Sequence, residues 1–192
     1  MSLQKINTRT IVVILMIVAA AAFRLISFEN KFLSNFTPLG AMAIFGGVYF
    51  TDKWKAYLVV LLSFVVSDII IDYLRTSQWT LWSNDTTWYC LCFLLIVFVG
   101  TFIKKINVTS VLLVLLAPVA IHWLIMDLPW IYSSAGLYPK TLAGYGASLM
   151  AAIPFEKNML YGDIVFGAIL FGGFEFVQSK YTILRSNKKL AV

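Results

Sequence analysis

Charged side chains are scarce in this chain. Only 12% of its 192 residues are charged, whereas 60% are hydrophobic. A soluble domain of this size carries about a quarter charged residues. A water-soluble core could not enclose so much apolar surface, so the composition predicts an integral membrane protein with the lipid bilayer as its solvent. The length is sufficient for one transmembrane domain, residues 1–192.

Residues and motifs that carry common chemistry are also rare. The chain has one histidine and two cysteines, Cys90 and Cys92. These are too few for a zinc site, and their spacing places the cysteines on different faces of a helix, which argues against a disulfide. The G-x-S-x-G elbow, the P-loop and the dinucleotide fingerprint are missing. The sequence thus gives no support to an enzyme, a cofactor or a metal centre.

Six hydrophobic segments follow one another and predict an all-α bundle of six transmembrane helices. The predicted helices cover residues 10–28, 37–50, 55–74, 87–103, 108–128 and 158–178. A spanning helix needs about 20 residues, so the second helix must be buried among others, re-entrant or extended by its flanks. Asn35 or Thr37 can cap it. Gly40, Ala43 and Gly47 favour close helix packing, and the thin helix could also line a ligand cavity; the two interpretations are compatible.

Basic residues set the predicted orientation. With the N-terminus inside, ten lysines and arginines lie on the cytoplasmic side and five on the other. The inner ten are Lys5, Arg9, Lys53, Lys55, Lys104, Lys105, Lys180, Arg185, Lys188 and Lys189; the outer five are Arg24, Lys31, Arg75, Lys140 and Lys157. The positive-inside rule therefore predicts that both termini are cytoplasmic. The same rule explains the net charge of +6 without a nucleic-acid partner.

Ionisable residues within the hydrophobic segments concentrate near their predicted outer ends. Such residues are costly in lipid and indicate function. Asp68 and Asp72 share a helix face, and Trp123, Asp127 and Trp130 fit one stripe that would suit a flat or cationic ligand. The residues predicted to form an outer substrate site are Arg24, Asn35, Asp68, Asp72, Cys90, His122, Trp123, Asp127 and Asp163.

A structural interpretation stays open for these residues. Arg24 could reach the interface or hold Asp68 and Asp72 in ion pairs. Asp163 could be favoured by the dipole at the beginning of the sixth helix. The two predicted outer loops, residues 75–86 and 129–157, are rich in tryptophan and tyrosine. These side chains could form an interfacial belt, but their excess on the outer side suggests loops that fold over a site.

Several short motifs carry a resemblance. They are Asn35-Phe36-Thr37-Pro38-Leu39-Gly40-Ala41-Met42-Ala43, then Phe45-Gly46-Gly47, Ser67-Asp68 and Tyr161-Gly162-Asp163. With them the chain resembles a bacterial family of proposed transport proteins of unknown function, related to the substrate-binding S-components of energy-coupling factor (ECF) transporters. The resemblance implies a multi-pass protein of the bacterial inner membrane that binds a vitamin-like nutrient near the outer surface for uptake. It also implies an ECF coupling subunit and ATPases as partners.

Two details refine what the resemblance implies. The consecutive alanines Ala19 to Ala22 differ from the Ala-x-x-x-Ala docking pattern of many S-components, which favours a solitary component. Solitary cobalamin-transporting S-components use a cysteine to ligate cobalt near the outer side, and Cys90 resembles that cysteine, so cobalamin is one candidate ligand. The rival hypotheses are a small intramembrane enzyme that uses the outer aspartates and a structural or assembly protein.

Overall fold

The computed structural model describes residues 7–27, 35–131 and 137–185, and within these ranges the chain is helical and has no strand. The α-helices are α1 (Thr8–Ser27), α2 (Leu39–Tyr49), α3 (Lys53–Thr76), α4 (Asn84–Gly100), α5 (Val108–Val114), α6 (Leu116–Met126), α7 (Leu142–Gly167) and α8 (Gly173–Lys180). A π-helical turn, Ala168–Gly172, joins α7 to α8, and a 3-10 turn, Thr182–Leu184, follows. Phe28, the predicted end of the first segment, and both chain termini lie outside the described residues.

Among the described residues, four helical stretches are long and apolar enough to cross a membrane. They are Thr8–Ile26, Lys53–Thr76, Val108–Met126 and Leu142–Lys180. The shorter apolar helices α2 and α4 have 11 and 17 residues. Each of the six predicted hydrophobic segments therefore coincides with apolar helix, although two of these helices are shorter than a usual span.

The long helices turn apolar side chains outwards. α3 exposes Leu58, Leu62 and Val66 by 48 to 54%, while Val60 and Phe64 on its other face are buried. Both sets recur every four residues, as expected for two faces of one helix. A helix surface in water would be polar on the exposed side. Lipid is the solvent that suits this surface, which confirms the predicted class of helical membrane protein.

The short helix α2 lies at the centre of the bundle. Its residues from Leu39 to Gly47 are all buried, and it packs against α1, α3, α4, α6 and α7. A β-carbon on Gly47 would lie 2.4 Å from the backbone oxygen of Val97 in α4, and one on Gly40 would lie 2.5 Å from Cβ of Pro118. The prediction of close packing at these glycines is confirmed. Of the three alternatives for this segment, burial among other helices is the one observed.

The fifth predicted segment is divided into two helices. α5 and α6 meet at Leu115, because Pro118 has no N–H to donate to the carbonyl of Val114 four residues earlier. α6 ends at Met126, so Trp130 lies beyond the helix and is 50% exposed. The prediction that Trp130 continues the stripe of Trp123 and Asp127 was wrong.

The sixth predicted helix begins much earlier than expected. Helix is continuous from Leu142 to Lys180 over 39 residues, about 58 Å at ~1.5 Å per residue. The outer loop predicted over residues 129–157 was wrong for residues 142–157, which are helical in spite of the internal Pro154. The correct boundary places Asp163 deep within α7 rather than in the first turns of its own helix.

The two ends of the bundle differ in their polar contacts. Arg9 Nη1 donates hydrogen bonds to Gln178 Oε1 (2.6 Å) and to the Leu184 carbonyl (2.7 Å). The beginning of α1 and the end of α8 therefore lie together, at what we call the Arg9 end. The Tyr49 hydroxyl also donates to Glu175 there. The opposite end, where α1 finishes, is called the Arg24 end, and it carries the predicted site residues.

Candidate functional site

Arg24 links α1 to α3. Its guanidinium donates to the Ser67 hydroxyl at 2.7 Å and pairs with Asp68 Oδ1 at 3.1 Å. It also lies over the Phe64 ring, 5.3 Å from the centroid. The Arg24 and Asp68 side chains are only 13% and 22% exposed. A charge in an apolar bundle needs such a partner, so the ion pair proposed between these residues is present.

Aromatic rings continue this contact across the bundle. The Phe64 ring of α3 lies 5.7 Å from the Tyr89 ring of α4, and Tyr89 lies 5.8 Å from the imidazole of His122 in α6. These distances are typical of interacting aromatic pairs. Arg24 on α1 is thereby joined through two rings to His122 on α6.

His122 in turn meets a buried glutamate. Its Nδ1 lies 2.9 Å from Oε1 of Glu156 on α7, and with Glu156 ionised the ring nitrogen is the donor. Both side chains are largely buried, at 15% and 7% exposure. The second carboxylate oxygen of Glu156, Oε2, is buried and has no hydrogen-bond partner among the described residues.

Asp127 and Trp123 join the ends of α6 and α7. The Ser148 hydroxyl lies 3.5 Å from Asp127 Oδ1, at the limit of a hydrogen bond, and the Trp123 indole donates to the Leu149 carbonyl at 2.9 Å. Burial, and then the nearby Glu156 charge, raise the pKa of Asp127 to about 6. This carboxyl group therefore titrates close to neutral pH.

Asp163 stabilises the beginning of α2 rather than of its own helix. It is completely buried, and its Oδ1 accepts the backbone N–H of Ala41 at 2.7 Å. A β-carbon on Gly40 would lie 2.3 Å from Oδ2, so only glycine leaves room for the carboxylate. The first amides of a helix need an acceptor. Asp163 supplies it from α7, and neither Asn35 nor Thr37 makes the predicted cap.

Three predicted residues lie at the margin of this arrangement. Asn35 has a left-handed backbone (φ 61°), which asparagine tolerates, and it turns the chain towards α2. Asp72 is half-buried one turn beyond Asp68, and Cys90 is half-buried beside Tyr89 in α4. In the part of the chain that the structure describes, no group of three or more His, Cys, Asp or Glu residues could hold a metal.

We call the assembled group the Arg24-end cluster. Its members are Arg24, Ser67, Asp68, Tyr89, His122, Trp123, Asp127, Ser148, Glu156 and Asp163. Glu156 is the most informative residue that sequence reasoning missed. It lies seven residues before Asp163, which puts both on one face of a helix. That signal went unused because the helix was predicted to start only at residue 158.

The tryptophans between α3 and α4 lie at the surface. Trp79 stacks on Tyr73 at 4.3 Å and is 65% exposed, and Trp82, 57% exposed, donates to the Thr87 hydroxyl. This exposure is what interfacial tryptophans would show.

An apolar helical surface around a buried polar cluster defines this chain as a helical membrane protein. Residues 4–187 match a family model described as "Family of unknown function (DUF6580)". The chain belongs to that family. No curated protein and no solved structure matches it.

Proposed function

We propose that this protein binds a small vitamin-like organic molecule at the Arg24-end cluster and takes part in its uptake into a bacterial cell. It crosses the inner membrane six times, with both termini in the cytoplasm and the Arg24 end outside. The basic residues support this orientation, because ten of them then lie inside and five outside. The contact of Arg9 with Gln178 supports an even number of crossings, because it places the beginning of α1 and the end of α8 together.

Two incompletely paired carboxylates carry the proposal. Glu156 Oε2 and Asp163 Oδ2 are buried without a hydrogen-bond partner among the described residues. Buried polar atoms in proteins are nearly always paired, and an unpaired one needs an explanation. A bound polar molecule at the Arg24 end would pair these spare acceptors.

The surroundings of these carboxylates suit a small organic molecule. Binding sites combine apolar and aromatic walls with a few placed polar groups. Tyr89 and Trp123 offer rings at the cluster, while His122 and Asp127 offer polar atoms. If the protein works as an S-component does, an ECF coupling subunit and ATPases energise uptake; the alternative is a protein that works without them. The consecutive alanines Ala19 to Ala22 favour a protein that works alone.

The test is to recover the molecule from the protein. The wild-type protein, Asp127→Asn and Asp85→Asn are purified alike in mild detergent and denatured, and the released small molecules are identified by mass spectrometry. Asp85 is an exposed carboxylate in the first turn of α4 and serves as the matched control. We expect one compound enriched with the wild-type and Asp85→Asn proteins and depleted with Asp127→Asn.

Two other outcomes contradict the proposal. If no compound is enriched over a mock purification, the protein does not retain a solute. If Asp127→Asn lowers thermal stability but keeps the compound in its folded fraction, the cluster is a structural network and binding lies elsewhere.

A further inference from the structure

The charges of the Arg24-end cluster do not balance. Arg24 is matched by Asp68. The beginning of α2 offers Asp163 roughly half a positive charge. Among the described residues, Asp127 and Glu156 then have His122, which carries at most one positive charge, as their cationic neighbour. With these carboxyl groups ionised, the α6–α7 part of the cluster is left with a negative excess.

We propose that the solute is an organic cation, an ammonium or amidinium compound, and that Glu156 is its charged partner. This inference rests on the proposed function and names its substrate class. Glu156 is buried, and one of its carboxylate oxygens already bonds His122. Its other oxygen is the buried acceptor that lacks a partner among the described residues. An N–H group of a cation would supply a charge-assisted hydrogen bond there.

Anionic and neutral solutes fit the cluster less well than a cation does. An anionic solute would be repelled by Glu156 and Asp127. A neutral solute could satisfy the hydrogen bond but would leave the buried negative charge without compensation, which is costly in a low dielectric. A cation removes both difficulties.

Aromatic rings near the carboxylates fit the same class of solute. Trp123, four residues before Asp127, lies against α7 through its hydrogen bond to the Leu149 carbonyl. Tyr89 lies beside His122. Ring faces attract ammonium and guanidinium groups, and they also pack against the apolar body of an organic molecule.

Three probes of matched shape test the charge class. Benzylammonium, benzyl alcohol and benzoate share one ring and differ in charge. Thermal unfolding of the wild-type protein in lipid nanodiscs is measured with millimolar amounts of each probe at pH 7.5. We expect benzylammonium to raise the unfolding temperature more than the other two, and Glu156→Gln to abolish this difference. The glutamine keeps an acceptor for His122, so the variant removes charge with little change of shape.

Glu175→Gln is the matched control, since Glu175 lies at the Arg9 end. It should respond to benzylammonium as the wild type does. Equal shifts with all three probes, a preference for benzoate, or a preference for benzylammonium that survives Glu156→Gln would overturn the inference. The recovered solute separates the two proposals: an enriched neutral or anionic compound contradicts the charge class alone, whereas no enriched compound contradicts the proposed function as well.

Discussion

At the scale of single residues, the position of Asp163 shows how one carboxylate joins two helices. It comes from α7 and accepts the Ala41 amide at the beginning of α2. The Ala41 amide, at the positive end of the α2 dipole, gives the buried carboxyl group a hydrogen-bond donor. Gly40 is the complementary residue, because any side chain there would occupy the space of the carboxylate.

Removing the Asp163 carboxylate should therefore destabilise the bundle. Asp163→Ala leaves the Ala41 N–H without an acceptor, and we expect a loss of ~1–2 kcal/mol, as for other helix caps. Unfolding in detergent micelles measures it. Asp85→Ala, which changes an exposed carboxylate, should cost only a few tenths of a kcal/mol. Equal stability of Asp163→Ala and the wild type would exclude the capping role.

The raised pKa of Asp127 predicts a dependence of stability on pH. Its pKa is about 6 in the folded protein against an ordinary value of 3.8. Between these values the folded state binds more protons than the unfolded state, so the contribution of Asp127 is fully present below pH ~4 and is lost as the pH rises through ~6. Thermal unfolding of the wild type and of Asp127→Asn at pH 4 and pH 7 is the measurement. The stability of the wild type relative to Asp127→Asn should be lower at pH 7 than at pH 4. A difference between the two proteins that is the same at both pH values would contradict the burial of this group.

At the scale of helices, the contact of α2 with α4 depends on two glycines. A β-carbon on Gly47 would lie 2.4 Å from the backbone oxygen of Val97, and Gly100 of α4 faces Gly47. Backbone atoms cannot rotate away as a side chain can. Small residues at this position therefore permit the close approach on which the buried α2 depends.

Gly47→Ala should push α2 away from α4 and cost ~1–3 kcal/mol, the usual price of overpacking. Gly146→Ala in α7 is the matched control, because a β-carbon there meets nothing within 4 Å. It should be neutral or stabilising, since alanine favours helix more than glycine does. Unfolding in detergent would compare the two variants. A Gly47→Ala protein as stable as Gly146→Ala would mean that the α2–α4 contact is looser than described.

The helix elements also show what sequence reasoning can and cannot reach. Hydropathy located all six segments, and the spacing of small residues correctly identified α2 as a closely packed helix. The early start of α7 was not predicted from the sequence, because Pro154, Glu156 and Lys157 taken one by one are typical of loops. Their place became visible only through tertiary contacts, since Glu156 is stabilised by His122 from another helix.

At the scale of the whole molecule, the orientation in the membrane can be tested with single cysteines. In a protein whose Cys90 and Cys92 are replaced by alanine, Gln78→Cys and Lys105→Cys place exposed thiols at the α3–α4 and α4–α5 connections. We expect a membrane-impermeant maleimide to label Gln78→Cys in intact cells, and Lys105→Cys only after permeabilisation. The reverse pattern would invert the proposed topology.

The candidate site also depends on the whole molecule. The sequence indicated Arg24, Asp68, His122, Trp123, Asp127 and Asp163. The fold joins Arg24 and Asp68 to His122 through the rings of Phe64 and Tyr89, and it joins His122 to Glu156. Their roles could not be derived from spacing alone. Contacts between residues more than 30 positions apart decide two of these roles: Asp163 caps α2 rather than its own helix, and Glu156 is the carboxylate that faces the imidazole.

The single histidine of the chain gives the most direct test of the central claim, that the Arg24-end cluster binds a solute. In protein labelled with ¹⁵N-histidine and freed of any histidine tag, His122 yields one set of imidazole resonances. Titration with the compound recovered from the purified protein should shift these resonances saturably, because Glu156 would then be shared between the imidazole and the solute. Resonances that stay unchanged while the compound demonstrably binds would place the binding site elsewhere and contradict the account.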